Sequence, residues 1–220
     1  MTKYKMYVVF LLIIFLCAFE FVGANSNDLP LLGKVIYVDP GHGGKDPGAI
    51  YKDIYESNIN LSISLKLASS LESQGAIVLL TRTGDYDLAV NNAVNRKRSD
   101  LGMRARIINE SNCDMYISIH LNSIASSTWR GAQVFYDDVN PKNKDIAIIM
   151  QETLKKELKT SREYKELKDR YMYQRVKIPG VLIEAGFLSN PSERYLLQED
   201  TYQNRIVNAI TKGVNNYFHS

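Results

Sequence analysis

The chain has 220 residues, with 27 basic and 24 acidic side chains and a net charge of +3. Apolar residues at 45% and charged residues at 23% exclude a disordered, collagen-like or multi-span membrane protein, and the length admits one α/β domain and hardly two. So small a positive excess, with no basic run interleaved with aromatics, sets nucleic acid aside as a partner, and two cysteines cannot build a disulfide framework.

Lys3 and Lys5 precede the uncharged apolar run Val8–Phe19, which falls short of the ~20 residues a spanning helix needs and suits the core of an export signal. Val22-Gly23-Ala24 puts small residues where a signal peptidase cleaves. Residues 1–24 are therefore read as a signal segment, cleaved or retained as an anchor and the only contact with a membrane. Residues 25–33 are read as a lead and residues 34–220 as the folded domain, acting outside the cytoplasm. Cys17 follows Leu16, where a lipidation motif wants a small residue, and Cys113 reads as a small buried core residue.

Lys34–Val38 is expected to form a buried strand that stops at the turn-forming stretch Asp39-Pro40-Gly41-His42-Gly43-Gly44. From Glu56, Ile59, Ile63, Leu67 and Leu71 recur every four residues as far as Gly75, the pattern of a helix packed on a sheet. Ala76–Thr81 then reads as a strand, Arg96–Glu110 as a basic helix and Met115–Ile119 as a strand ending at His120. Ala132–Tyr136 follows as a strand, Asn143–Leu158 as an amphipathic helix, Val181–Glu184 as a strand and Tyr202–Phe218 as a terminal helix. This alternation predicts a three-layer α/β domain, a mostly parallel central sheet with helices on both faces, whose ligands bind beyond the carboxyl ends of the strands. His42, His120 and Glu184 come from three different strands to that one rim.

A hydrolytic zinc site takes three ligands from His, Glu or Asp and leaves a fourth position for water. His42 and His120 offer imidazoles, and Glu56 a carboxylate where the loop after the first strand turns into its helix. Neither HExxH nor HxxEH is present, so such a site is not built on a single helix. On the residues alone, Glu56 also reads as a first-turn carboxylate favoured by the helix dipole, and His120 as a core histidine at a strand end. Glu184 ends the apolar run Val181-Leu182-Ile183, where an unpaired charge is costly. Either a cation or metal-bound water compensates it or its pKa rises, and both suit a general base. The glycine-rich loop lacks a phosphate-binding fingerprint, and Asp39 and Asp46 would repel an anion. Arg96-Lys97-Arg98 with Arg104 and Arg106 reads as a solvated helix face, Tyr171 and Tyr173 as edge-strand packing, and His219 as exposed tail.

The strings VIYVDPGHGGKDPGA, SIHLNS around His120 and VLIEAGFLSNPSE around Glu184, with the isolated Glu56 between the first two, resemble in order and spacing the zinc-dependent N-acetylmuramoyl-L-alanine amidases. The likeness runs from about Lys34 to the C-terminus. It implies one Zn2+ per chain held by His42, Glu56 and His120, Glu184 as catalytic carboxylate, Asn122 near the metal as a substrate contact, and peptidoglycan as substrate. Leu121 departs from the small residue more usual after the second histidine, which bears on the shape of the pocket. The interval from His120 to Glu184 is largely used by a strand, a helix and another strand, so no inserted helix is expected to plug the site. Control then falls to expression, localisation or a regulatory protein partner. A secreted catalytic domain without wall-binding repeats is most similar to the sporulation-specific, CwlD-type branch, which acts in spore cortex so that muramic-δ-lactam can form. A general autolysin or cell-separation amidase, a zinc-containing peptidoglycan-binding protein without activity, and a zinc carboxypeptidase are the alternatives.

Overall fold

The computed structural model describes residues 29–168 and 170–220; the expected signal segment, residues 1–24, and Cys17 lie outside them. In chain order the elements are β1 (Val35–Pro40), the short strands β2 (Ile50–Tyr51) and β3 (Ile54–Tyr55), helix α1 (Glu56–Glu72), β4 (Ile77–Leu80) and α2 (Arg96–Glu110). These are followed by β5 (Met115–Asn122), β6 (Gln133–Tyr136), α3 (Asn143–Leu158), β7 (Lys165–Glu166), a 3-10 turn at Tyr173–Arg175, β8 (Gly180–Phe187), α4 (Pro191–Leu196) and α5 (Asp200–Phe218). No helix among the described residues is long and apolar enough to cross a membrane.

The central strands are near-continuous apolar runs because helices cover both faces, so both side-chain rows must be apolar or internally paired. The sheet order is β4-β1-β5-β8-β6-β7. β1 pairs in parallel with β4 and β5, β5 in parallel with β8, and β6 in parallel with β7. β6 runs antiparallel to β8, the single reversed pairing of this sheet. Successive side chains alternate between faces. Ile36, Val38, Ile117, Ile119, Val181 and Ile183 pack under α1, α3 and α5, each fully buried Ile or Leu worth about 1.5–3 kcal/mol. Tyr37, Tyr116 and Leu182 face the other way, against Ala105 and Ile108 of α2 and against Met172, Tyr173 and Val176. Cys113 is buried in this second cluster.

The same alternation carries Asp39, Ser118, His120 and Glu184 onto the α2 face, two or four positions beyond Tyr37, Tyr116 and Leu182. The strands run further than their apolar cores suggest: β1 extends to Pro40, β5 to Asn122 and β8 to Phe187. His120 and Glu184 therefore lie within strands, paired directly across the β5–β8 ladder, not in loops beyond them. α1 starts at Glu56, a favourable position for a carboxylate near a helix N-terminus, and buries Ile59, Ile63, Leu67 and Leu71. The Asn95 side chain caps α2 by accepting from the Arg98 amide at 2.9 Å. α3 buries Ile146, Ala147, Met150 and Leu154 against the α1/α5 core, so it is a layer of the fold.

Candidate active site

The turn after β1 places His42 at φ 63°, a left-handed conformation that costs a non-glycine residue about 1–3 kcal/mol unless its surroundings enforce it. Two buried arginines do so. Arg104 donates from Nη1 to Asp39 Oδ1 and to the Pro40 carbonyl, both at 2.8 Å, and from Nη2 to the His42 carbonyl at 2.6 Å. Arg82 donates from Nε to the Pro40 carbonyl at 2.9 Å and from Nη2 to the carbonyls of Gly41 at 3.0 Å and Ser57 at 2.8 Å. Asp39 also accepts from Thr81 and Ser118, each at 2.7 Å. Burial alone raises a carboxyl pKa, but the Arg104 charge and these two hydroxyls outweigh it and hold Asp39 below its usual range. Arg104 is thus a buried clamp on the turn, 1% exposed, and not part of a solvated helix face.

His42, Glu56 and His120 converge at this turn. His42 Nε2 and His120 Nδ1 each lie 3.2 Å from Glu56 Oε1, and the three ligand atoms all lie within 4.8 Å of one another. Bonds of ~2.0–2.1 Å to a tetrahedral zinc imply donor separations of about 3.3 Å; the two His–Glu separations match it, so the donor types and these spacings fit such an ion. The cradle is built close: a Cβ on Gly48, at φ +70°, would lie 2.6 Å from Glu56 Oε2 and 2.7 Å from His42 Cδ2, and one on Gly41 would lie 2.3 Å from the His120 ring. Glu56 is oriented by the amides of Ala49 at 2.9 Å and Leu121 at 3.0 Å and by Asn60 Nδ2 at 3.2 Å. Burial opposes its charge, yet the two imidazoles prevail and hold its pKa far below the ordinary value.

Each imidazole has a second partner. His42 Nδ1 faces Asp46 Oδ2 at 3.0 Å, and Lys97 Nζ reaches the same carboxylate oxygen at 3.2 Å. Against the burial that opposes protonation, Asp46 and Glu56 raise the His42 pKa to about 9. His120 Nε2 lies 3.2 Å from Tyr173 Oη, which is 3.1 Å from Ser118 Oγ, itself a donor to Asp39. This buried relay points Nε2 away from Glu56 and leaves Nδ1 for a ligand role. Tyr173 belongs to the 3-10 turn, so it is not edge-strand packing; Tyr171, two residues earlier, packs beside Arg98 and Arg175.

Glu184 opens onto the same cavity, of about 340 Å³, that His42, Glu56, His120, Asn122 and Tyr173 line. Among the described residues its Oε2 is buried without a hydrogen-bond partner. Burial, with the nearby Glu56 charge, pushes its pKa up to about 8. The residues named from the sequence thus share one cavity. Asp39, Asp46, Arg104 and Tyr173 also line it and Arg82 braces its turn, roles that the sequence hints at only through the aspartates of the first motif and Asp100-x-x-x-Arg104, an i,i+4 pair whose bond is 3.0 Å.

Comparison with known proteins bears on this geometry. Residues 36–216 match the family model described as N-acetylmuramoyl-L-alanine amidase. The germination-specific N-acetylmuramoyl-L-alanine amidase of Bacillus subtilis is 42% identical over 219 residues, covering 95% of this chain and 91% of that protein. Among solved structures, the CwlD amidase of Clostridioides difficile, determined in complex with the GerS lipoprotein, superposes with a TM-score of 0.80 at 42% identity, over 85% of this chain and 99% of that one. An N-acetylmuramoyl-L-alanine amidase from Clostridium difficile 630 gives 0.76 at 31% identity, over 85% and 97%. With its ordered motifs drawn into one cavity and the likeness extending over nearly all of the described fold, the chain belongs to the N-acetylmuramoyl-L-alanine amidase family and is an enzyme of that class.

Proposed function

We propose that this chain is a zinc-dependent amidase that cleaves the bond between the lactyl group of N-acetylmuramic acid and L-alanine, with His42, Glu56 and His120 holding one zinc ion and Glu184 as the catalytic acid and base. The observation that carries the reading is a half-buried carboxyl, its Oε2 buried without a hydrogen-bond partner among the described residues, opening onto a cavity that also holds a His-Glu-His donor set. Such an ion, when bound, supplies Lewis acidity toward the amide carbonyl and lowers the pKa of water at its open position. Glu184 takes a proton from the attacking water as its oxygen bonds to the lactyl carbon. The same carboxyl then delivers that proton to the alanine nitrogen as the C–N bond breaks, leaving a lactyl carboxylate and a peptide with a free amino end. Burial raises the Glu184 pKa in the metal-free protein, which suits the acid step, and the positive charge of a bound ion would favour the carboxylate needed for the base step. Asn122, at the end of β5 and on the cavity wall, is assigned to orienting the substrate.

The biological setting follows the relatives. Identity of 42% to a germination-specific amidase supports a role in germination; within that role we assign the chain to the spore cortex, to the reaction that prepares muramic-δ-lactam, with export through residues 1–24. The lipoprotein complex of the C. difficile protein supports a regulatory protein partner for this chain as well. Mass spectrometry of purified muropeptides incubated with the enzyme is the test. Peptide-free glycan and peptides beginning with alanine are expected. Shortened stem peptides would mean a carboxypeptidase, and unchanged muropeptides a binding protein. Cortex from spores lacking the gene is expected to lack muramic-δ-lactam, and normal cortex would point to vegetative wall turnover instead.

A further inference from the structure

The cavity has one wall that the amide chemistry leaves unused. Lys97 of α2 and Arg170, Tyr171 and Met172, just before the 3-10 turn, line it together with Glu184 and the His-Glu-His set. Arg98 and Arg175 stand behind Tyr171, their guanidinium carbons 4.6 Å and 3.7 Å from the centre of its ring. Cations therefore cluster on this side. The carboxylates lining the cavity are mostly engaged: Asp39 and Asp100 by Arg104, Asp46 by His42 and Lys97, Glu56 by amides and imidazoles. Arg170 is exposed, lines the same cavity as Glu184 and makes no ion pair among the described residues.

The scissile bond contains the amino group of alanine, so the peptide leads away from the cut toward its own carboxyl end. That half of the substrate carries a negative charge, whereas the lactyl ether side is neutral. We propose that the Lys97/Arg170 wall is a carboxylate subsite, with Arg170 as its principal specificity determinant, and that it makes the stem peptide run from the cut toward Arg170 and Tyr171. This deepens the amidase reading and rests on it. Arg170 presents a planar donor fork suited to a carboxylate, and Lys97 adds a second, mobile charge that is already shared with Asp46.

The test uses the zinc-loaded full chain and two muropeptides that differ only in the peptide's last group, carboxylate or carboxamide. The wild type is expected to show a KM about tenfold lower for the carboxylate, the size of one partly exposed charge-assisted contact. Arg170→Gln is expected to bring the two KM values within about twofold, the same contact being lost. Arg170→Lys should keep part of the preference, and added salt should shrink it in the wild type. Arg205→Gln, on α5 and outside the cavity, is the control that retains the wild-type preference. Equal KM values in the wild type, or an undiminished preference in Arg170→Gln, overturn the subsite while leaving the amidase reading intact. Failure to cleave either compound overturns that reading instead. Calorimetry with the two free peptides then still decides the subsite, tighter binding of the carboxylate form by the wild type alone supporting it and equal binding refuting it.

Discussion

Replacing Glu184 by Gln separates what the carboxyl does for the reaction from what it does to the fold. Burial lifts its pKa from 4.5 to about 8, so in the metal-free protein the folded state keeps a proton that the unfolded chain loses. A folded state that holds the extra proton loses stability as pH rises, here between about pH 4.5 and pH 8, by about 1.4 kcal/mol per pH step and at most about 5 kcal/mol in all. Because the side chain is half-buried and opens onto a cavity, screening reduces the expected figure to about 2–3 kcal/mol. Glu184→Gln removes that decline. Urea unfolding of the metal-free proteins at pH 5 and pH 8 should show the variant no more stable than the wild type at the lower pH and about 2–3 kcal/mol more stable at the higher. The same substitution should lower kcat by about 10²–10⁴ at unchanged zinc content. A variant that is catalytically dead but gains nothing at pH 8, or that is stabilised but still turns over at the wild-type rate, would refute the reasoning.

Three further outcomes follow from neighbouring contacts. His42, with its pKa at about 9 in the metal-free protein, must release its proton to take a zinc ion, so zinc affinity should rise about tenfold per pH unit below pH 9 and then level off; chelator competition across pH 6–10 measures it, and a flat profile from pH 7 would contradict the assigned partners. Tyr173→Phe interrupts the relay from His120 to Asp39 and should weaken zinc binding by about tenfold or more while the fold survives, seen as earlier zinc loss in the same titration with an unchanged circular dichroism spectrum. Arg104→Met leaves Asp39 buried without its cation and strips donors from the Pro40 and His42 carbonyls, for an expected loss of about 3–5 kcal/mol in urea unfolding; a loss below about 1 kcal/mol would mean the clamp is not what holds the turn.

The layered α/β architecture was readable because period-four apolar spacing in α1 and unbroken apolar runs in β1, β5 and β8 are local patterns. The direction of β6 was not, since an antiparallel partner of β8 carries the same residue types as a parallel one. β2 and β3 are too short to carry a period. His42, Glu56, His120 and Glu184 stood out through their motifs. Arg82, Arg104 and Tyr173 did not, because each acts across long sequence separations on carbonyls, a carboxylate or a ring nitrogen that the chain order does not bring together. A buried arginine and a solvated one look alike in sequence; only packing separates Arg104 from Arg106, which is exposed and pairs with Glu110 at 2.7 Å.

Zinc stoichiometry is the most direct test of the central claim, measured by elemental analysis after equilibration with limiting zinc on the wild type, His42→Ala, Glu56→Ala, His120→Ala and Glu184→Gln. One zinc per chain is expected in the wild type and in Glu184→Gln, and its loss from the other three. Full zinc in any of the three ligand variants, or an empty Glu184→Gln protein, would contradict that claim.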